Sequence, residues 1–288
     1  MRYGVASMTS PLRRVALRRP DAMVTADPDR WHYGASFDGL RVKSEHAAFS
    51  TLVEASGAEI LWMDGPDQGN ADAVFTFDAS LMTPAGAILM APGKPLRRGE
   101  QELHRAFYEA VEIPVIGEIT GEGLCEAGDS FWVDETMLAV GRGFRTNQAG
   151  IDQLGGLLDN QGIAVDAFDL PLYKGASACL HLLSLISPVA ERCALIHAPL
   201  FPVALLQLME ARGYTLLQAP EEDFIASDGL NLNVLATAPG KCIMIDGFSA
   251  TRELLEANGI EVSVFTGDAL CRGGEGGPTC LTRPLLRD

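Results

Sequence analysis

Long hydrophobic runs are missing from this 288-residue chain, and so is any excess of positive charge. No apolar stretch reaches the ~20 residues that a membrane-spanning helix needs. The opening MRYGVASMTSPLRRVALRRP alternates arginine with short apolar groups where a secretory signal would carry an apolar block. A cytoplasmic location is the expectation. Lysine and arginine total 22 against 38 aspartate and glutamate, a net charge of −16. Such a balance argues against nucleic acid and anionic membrane as partners, since both select basic surfaces. It also suits a cationic ligand, although solubility alone is the favoured reading. The cysteines, Cys125, Cys179, Cys193, Cys242, Cys271 and Cys280, form no C-x-x-C pair and no zinc spacing with histidine. Free thiols are expected in place of a disulfide framework. Low-complexity segments and linkers are also absent. With 47% hydrophobic residues the chain can bury a large core, and a single domain over residues 1–288 is expected.

What is present is a repeat, visible in the order of apolar runs. AVFTFDAS is followed by GAILMAP, a helical stretch near 98–111, and EIPVIGEI. The order recurs as DSFWVDE, TMLAVGRG, a helix near 146–160 and IAVDAFDL, and then from Cys179 as CLHLLSLIS, RCALIHA, a helix near 200–212 and YTLLQAP. LNLNVLATA, KCIMIDG, a helix near 249–257 and IEVSVFTG make a fourth copy. The fifth is split: CLTRPLL at the C-terminal side joins LRRVALRRP, a helix near 44–56 and AEILWMD at the N-terminal side. Ser44 is the expected N-cap of that helix and Gly57 its terminator. A strand–strand–helix–strand unit cannot bury its own sheet face. Five of them are therefore expected to pack as blades around one axis, an α/β propeller whose first strands point inward.

The polar residues at those inner starts then converge: Asp72, Asp78, Glu126, Asp129, His181, Asn231, Asn233 and Cys280. A thiolate is a strong nucleophile, but a free thiol titrates near ~8.5 and needs help. Histidine can protonate a leaving group and then activate water. Carboxylates beside a thiol oppose its ionisation, unless the substrate is itself a cation that they bind. A guanidinium meets that condition: it is planar, cationic, matched to carboxylates, and electrophilic at its central carbon. Taken singly, Cys280 reads equally well as a packed thiol, with Cys271 its rival, and His181 reads by default as a satisfied core histidine.

The ordered set DAVFTFD, APGKPLRRGE, EAGD, GRGFRTNQAG, LHLLS and a late glycine-rich cysteine in GGEGGPTC resembles the guanidino-group-modifying enzymes of the five-bladed pentein superfamily. The likeness covers nearly the whole chain and is nearest to the dimethylarginine dimethylaminohydrolases. It implies Cys280 as nucleophile on the guanidinium carbon and His181 as general acid and base. It further implies Glu126 and Asp78 as holders of the guanidinium nitrogens, Arg98 and Arg145 as clamps on a substrate carboxylate, and Asp72 near the substrate amino group. No metal or organic cofactor is implied; a homodimer is, by analogy. The implied reaction converts an N-methylated arginine to citrulline and an amine, with arginine deiminase, amidinotransferase and non-catalytic binding protein as alternatives. Two departures stand out: Phe77 precedes Asp78 where the family often has glutamate, and Leu183 stands where deiminases of plain arginine carry aspartate. An apolar residue at 183 would tolerate an N-alkyl group.

Other expectations are local. Residues 23–40, rich in turn formers around Trp31, His32 and Tyr33, suggest a lid. Asp129 reads as structural, Arg97 and Arg98 read alternatively as a solvated face, and His46 and His104 as solvent-facing helical residues. The glycines before Cys280 are expected to let the backbone pass close to the substrate.

Overall fold

The computed structural model describes residues 2–66, 69–175 and 180–288. Strands β1 (Leu12–Leu17) and β2 (Glu59–Trp62) are separated by two helical turns, α1 (Asp21–Val24) and α2 (Pro28–Trp31), and by helix α3 (Gly39–Ala55). Next come β3 (Ser80–Thr83), β4 (Gly86–Leu89), α4 (Glu100–Ala110) and β5 (Val115–Glu118). Then follow β6 (Ser130–Asp134), β7 (Met137–Arg142), α5 (Gln148–Asp159) and β8 (Ala164–Asp169). The chain continues through β9 (Ile186–Ala190), β10 (Cys193–Ile196), α6 (Val203–Ala211) and β11 (Thr215–Gln218). After the short helix α7 (Glu221–Ser227) come β12 (Leu235–Ala238), β13 (Lys241–Ile245), α8 (Ser249–Ala257) and β14 (Glu261–Phe265). Finally β15 (Arg283–Arg287) returns to pair with β1.

Among the described residues these strands form five three-stranded sheets of one pattern. The first strand of each is antiparallel to the second, and the second is parallel to the third. An antiparallel step needs only a tight turn, here Pro84–Ala85 or Glu191–Arg192, whereas a parallel step needs a crossover, which the helix supplies. In the split blade β15 takes the first position, with Ala16 opposite Arg283 and Leu12 opposite Arg287. The fold is the five-bladed α/β propeller that the repeat predicts.

The inner strands start later than the apolar runs suggest. Residues 71–74, 127–129, 182–184 and 230–232 are 3₁₀ turns, and extended structure begins only at Ser80, Ser130, Ile186 and Leu235. The backbone closes on itself there: Phe75 N–H donates to Asp72 O at 2.8 Å, and Ser184 N–H to His181 O at 3.0 Å. Five first strands converge on one axis, and a turn aims a polar side chain at a common centre where an extended ladder would alternate faces. Cys179, the expected start of its unit, lies outside the described residues.

Two local expectations are corrected. Helix α3 begins earlier than expected, and its cap is Asp38, whose side chain accepts a hydrogen bond from Leu40 N at 2.9 Å. Ser44 lies inside the helix and donates to Arg41 O. His46 and His104 are both buried, not solvent-facing. On α4 the buried set is Glu100, His104, Phe107 and Tyr108, a stripe at helical spacing that carries the histidine inward with the aromatics. Burial lowers His104 to about 3, with the Arg283 charge adding to it, and lowers His46 to about 4.

Candidate active site

The segment Leu124–Asp129 joins three blades. Asn147, the N-cap of α5, accepts from Gly150 N at 2.9 Å and also from Leu124 N at 3.0 Å, which fixes the entry to the segment. Ala127 N–H donates to Asp78 O at 3.0 Å and Gly128 N–H to Asp78 Oδ1 at 3.0 Å. Asp129 Oδ1 accepts from Leu182 N at 2.9 Å. A β-carbon on Gly128 would lie 2.6 Å from Asp78 Oδ1 and 2.7 Å from His181 Nδ1. Only glycine lets the segment pass between those two side chains. Asp129 thus ties the histidine turn in place, the structural part read from the sequence, and burial raises its carboxyl to about 6.

At the centre His181 Nε2 and Glu126 Oε2 are 2.6 Å apart. Glu126 is fully buried, and its other oxygen accepts from Gly93 N at 2.7 Å and Arg145 Nη1 at 3.3 Å. Burial alone would raise its pKa, but the bond to His181 and the charges of His181, Arg145 and Arg97 hold it well below the usual carboxylate range. One oxygen each of Asp78 and Glu126 and one ring nitrogen of His181 lie within 4.8 Å of one another. These are metal-ligating atom types, yet the Glu126 oxygen and His181 nitrogen face each other in a direct hydrogen bond, the geometry of a proton-sharing pair.

Cys280 is half-buried beside this cluster. Its sulfur accepts from Asn233 Nδ2 at 3.0 Å, and Asn233 Oδ1 in turn accepts from Thr279 N at 2.9 Å. Burial first, and then the charge of Asp78, pushes the thiol up to about 11, against the opposing pull of Asn233. The role of Asn233 could not be read from its position at a blade start alone. Its signal was present, but the partner, 47 residues away, was not. Rival Cys271 is fully buried, and burial raises its thiol far above the ordinary range.

The close approach expected of the glycine run is made to neighbouring segments of the protein. The left-handed residue within it is Glu275, at φ 60°, and none of the four glycines is in that region. A β-carbon at Gly276 would lie 2.5 Å from the Phe75 ring, one at Gly277 2.5 Å from Asn233, and one at Gly273 2.6 Å from Phe37. The run is glycine because side chains from neighbouring segments, Asn233 among them, press directly on its backbone.

Of the paired arginines, Arg97 is buried and Arg98 is exposed. Arg97 Nη1 donates to Asp78 Oδ2 at 2.5 Å, and its Nε and Nη2 fork onto Glu100. Arg97 ends the 95–97 turn buried on Asp78 and Glu100, while Arg98, the residue that follows it, stays exposed, so the solvated-face reading of Arg97 is corrected. Glu100, though paired, is raised to about 7 by burial. Asp72 is engaged by Tyr33 Oη at 2.9 Å and Lys94 Nζ at 2.6 Å; neither partner was singled out as its neighbour from sequence. Segment 23–40 folds over the glycine run, with Gly34 N–H on Gly273 O at 2.7 Å. Arg145 also borders a cleft of about 310 Å³ lined by Phe144, Leu170, Leu172 and Tyr173. Phe77 and Leu183 are buried and line a second, smaller cavity.

Five blades of this topology around an acid–histidine–thiol cluster define a guanidino-group-modifying enzyme of the pentein superfamily. The chain belongs to the arginine deiminase family, whose profile matches residues 70–182 and 182–287. A dimethylarginine dimethylaminohydrolase from Pseudomonas aeruginosa is 25% identical over 245 residues, 85% of this chain and 89% of that one. An arginine deiminase from Listeria welshimeri is 25% identical over 257 residues, 74% of this chain but only 61% of the deiminase. The solved structure of a mutant of the Pseudomonas enzyme complexed with citrulline aligns with a TM-score of 0.76 at 23% identity, over 96% of this chain and 100% of that one. The chain is thus a hydrolase or transferase acting on guanidino C–N bonds. Among the described residues no helix is long and apolar enough to cross a membrane.

Proposed function

We propose that the protein, as a single cytoplasmic domain, hydrolyses an N-methylated arginine to citrulline and methylamine or dimethylamine. The observation that carries this reading is the cluster of Asp78, Glu126 and His181 beside Cys280, flanked at 183 by leucine. Asp78 and Glu126 hold the guanidinium by its N–H groups, using lone pairs left over from their protein contacts. The bound cation offsets the charge of Asp78 that keeps the thiol protonated. The Cys280 thiolate attacks the guanidinium carbon, and His181 gives a proton to the departing amine, leaving a covalent thiouronium. His181 then takes a proton from water, the resulting hydroxide adds to the same carbon, and the C–S bond breaks to release the ureido product and the thiolate. Arg145 and the exposed Arg98 receive the substrate carboxylate. Asp72, with Lys94 and Tyr33, lies at the amino end. An apolar Leu183 leaves room for a methyl group and offers no acceptor to an unsubstituted nitrogen.

The test is turnover of asymmetric dimethylarginine, monomethylarginine, arginine and agmatine, followed by mass spectrometry with Cys280→Ser as control. Citrulline from the methylated substrates alone, and none from the variant, is the expected outcome. Best turnover of plain arginine would move the activity to a deiminase, and a product that changes on adding glycine would move it to a transferase. Undiminished turnover by Cys280→Ser would remove the covalent route.

A further inference from the structure

The smaller cavity, about 20 Å³, lies on the propeller axis, for its lining includes Leu81, Trp132, Ser187, Leu235 and Arg283, one from the first strand of each blade. Two of its lining residues are buried cations, Arg283 at 2% and Arg287 at 8% exposure. Among the described residues neither forms an ion pair with a carboxylate. Main-chain carbonyls hold them instead, and the Arg283 guanidinium also lies 4.1 Å from the Phe77 ring centre. Arg283 Nη1 donates to Phe77 O at 2.9 Å and to Ser80 O, and Arg287 donates to Ser10 O at 2.6 Å and Ala236 O at 2.8 Å. Asp78 acts on Arg283 from a distance, but its carboxylate is engaged by Arg97.

Carbonyl oxygens satisfy N–H groups without cancelling charge, and a desolvated charge is costly unless paired. Burial lowers Arg283 to about 10 and Arg287 to about 9, with Arg283 repelling Arg287. Among the described residues, two groups of cavity-lining residues lack any hydrogen-bond partner: Arg283 Nε and the hydroxyl of Ser130, itself 2% exposed. Nε is a donor only, and the hydroxyl can donate, so what is missing is an acceptor. The volume admits one small guest, a single water needing roughly 10–15 Å³.

We propose that the axial cavity is a binding site for one monovalent anion of chloride size, held by Arg283 Nε and the Ser130 hydroxyl beside the Arg287 charge. Such an ion would offset the charge that the closing strand β15 brings to the axis, in a cavity whose lining includes Leu183, the residue assigned above to the N-alkyl end of the substrate.

The test combines bromide-soaked crystals of the wild-type protein, read by anomalous scattering, with thermal unfolding in sodium chloride, bromide or gluconate at one pH and ionic strength. A bromide peak in the axial cavity is expected, with an unfolding midpoint about 2–4 °C higher in either halide than in gluconate. Ser130→Ala removes one hydroxyl and should raise the halide concentration for half the shift about 10-fold. Arg283→Met should abolish the shift. Equal midpoints in the three salts would overturn the proposal. So would an axial peak without anomalous signal, which is water, or a bromide peak found only beside Arg145.

Discussion

Asn233 donates to the Cys280 sulfur while burial and Asp78 keep that sulfur protonated, so one side chain favours the thiolate in a setting that otherwise opposes it. A hydrogen bond to a charged acceptor contributes about 1.5–3 kcal/mol, which corresponds to about 1–2 pH units. Iodoacetamide alkylation of Cys280 is therefore expected to rise only toward pH 11, and in Asn233→Ala the profile should move up by about 1–2 units with kcat falling about 10–100-fold. An unmoved profile would leave Asn233 with a packing role only. At this scale the sequence was legible where chemistry and blade position coincide, as at Asp78, Glu126, His181 and Cys280. It was not legible where the answer is a direction. Arg97 and Arg98 are identical neighbours, and the backbone angles of one turn decide which meets Asp78. His104 sits in EQELHRAFYEA among charged residues, yet its ring bonds the buried Ser80 hydroxyl at 2.8 Å.

At the scale of elements, helix α3 offers a direct comparison. Replacing an N-cap by alanine costs about 1 kcal/mol, whereas surface changes away from special features stay within about ±0.5 kcal/mol. Asp38→Ala should thus lower stability to urea by about 1 kcal/mol, and Ser44→Ala should be near neutral; the reverse order would return the helix start to Ser44. The expected cap failed because Ser44 precedes a convincing helical pattern that simply continues upstream through Gly39. Strand starts failed for a related reason. Runs such as AVFTFDAS are apolar on both sides, and apolar content alone cannot separate a 3₁₀ turn facing a crowded axis from an extended strand. Helices α4, α5, α6 and α8 were placed within a few residues, since their period is independent of what happens at the axis.

For the whole molecule, fivefold repetition was readable even across the chain ends, because each blade repeats the same alternation of strand and helix patterns. The closing of β15 on β1 needed only that the copies be counted. Stability against pH is also a property of the whole. His104 is held neutral, at about 3 against an ordinary 6.5. Below pH 6.5 the unfolded chain therefore binds a proton that the native state does not, and stability falls as pH falls toward 3. Relative to wild type, His104→Gln should gain about 1.4 kcal/mol per pH unit as pH drops from 6 to 4, read from urea midpoints; a constant difference would mean that the ring is protonated in place. The split blade also orders events during synthesis. Cys280 and the strand that shuts the ring follow, in chain order, the blades bearing Asp78, Glu126 and His181. Nascent chains would hold their carboxylates and histidine before the thiol, which joins the cluster only when β15 docks.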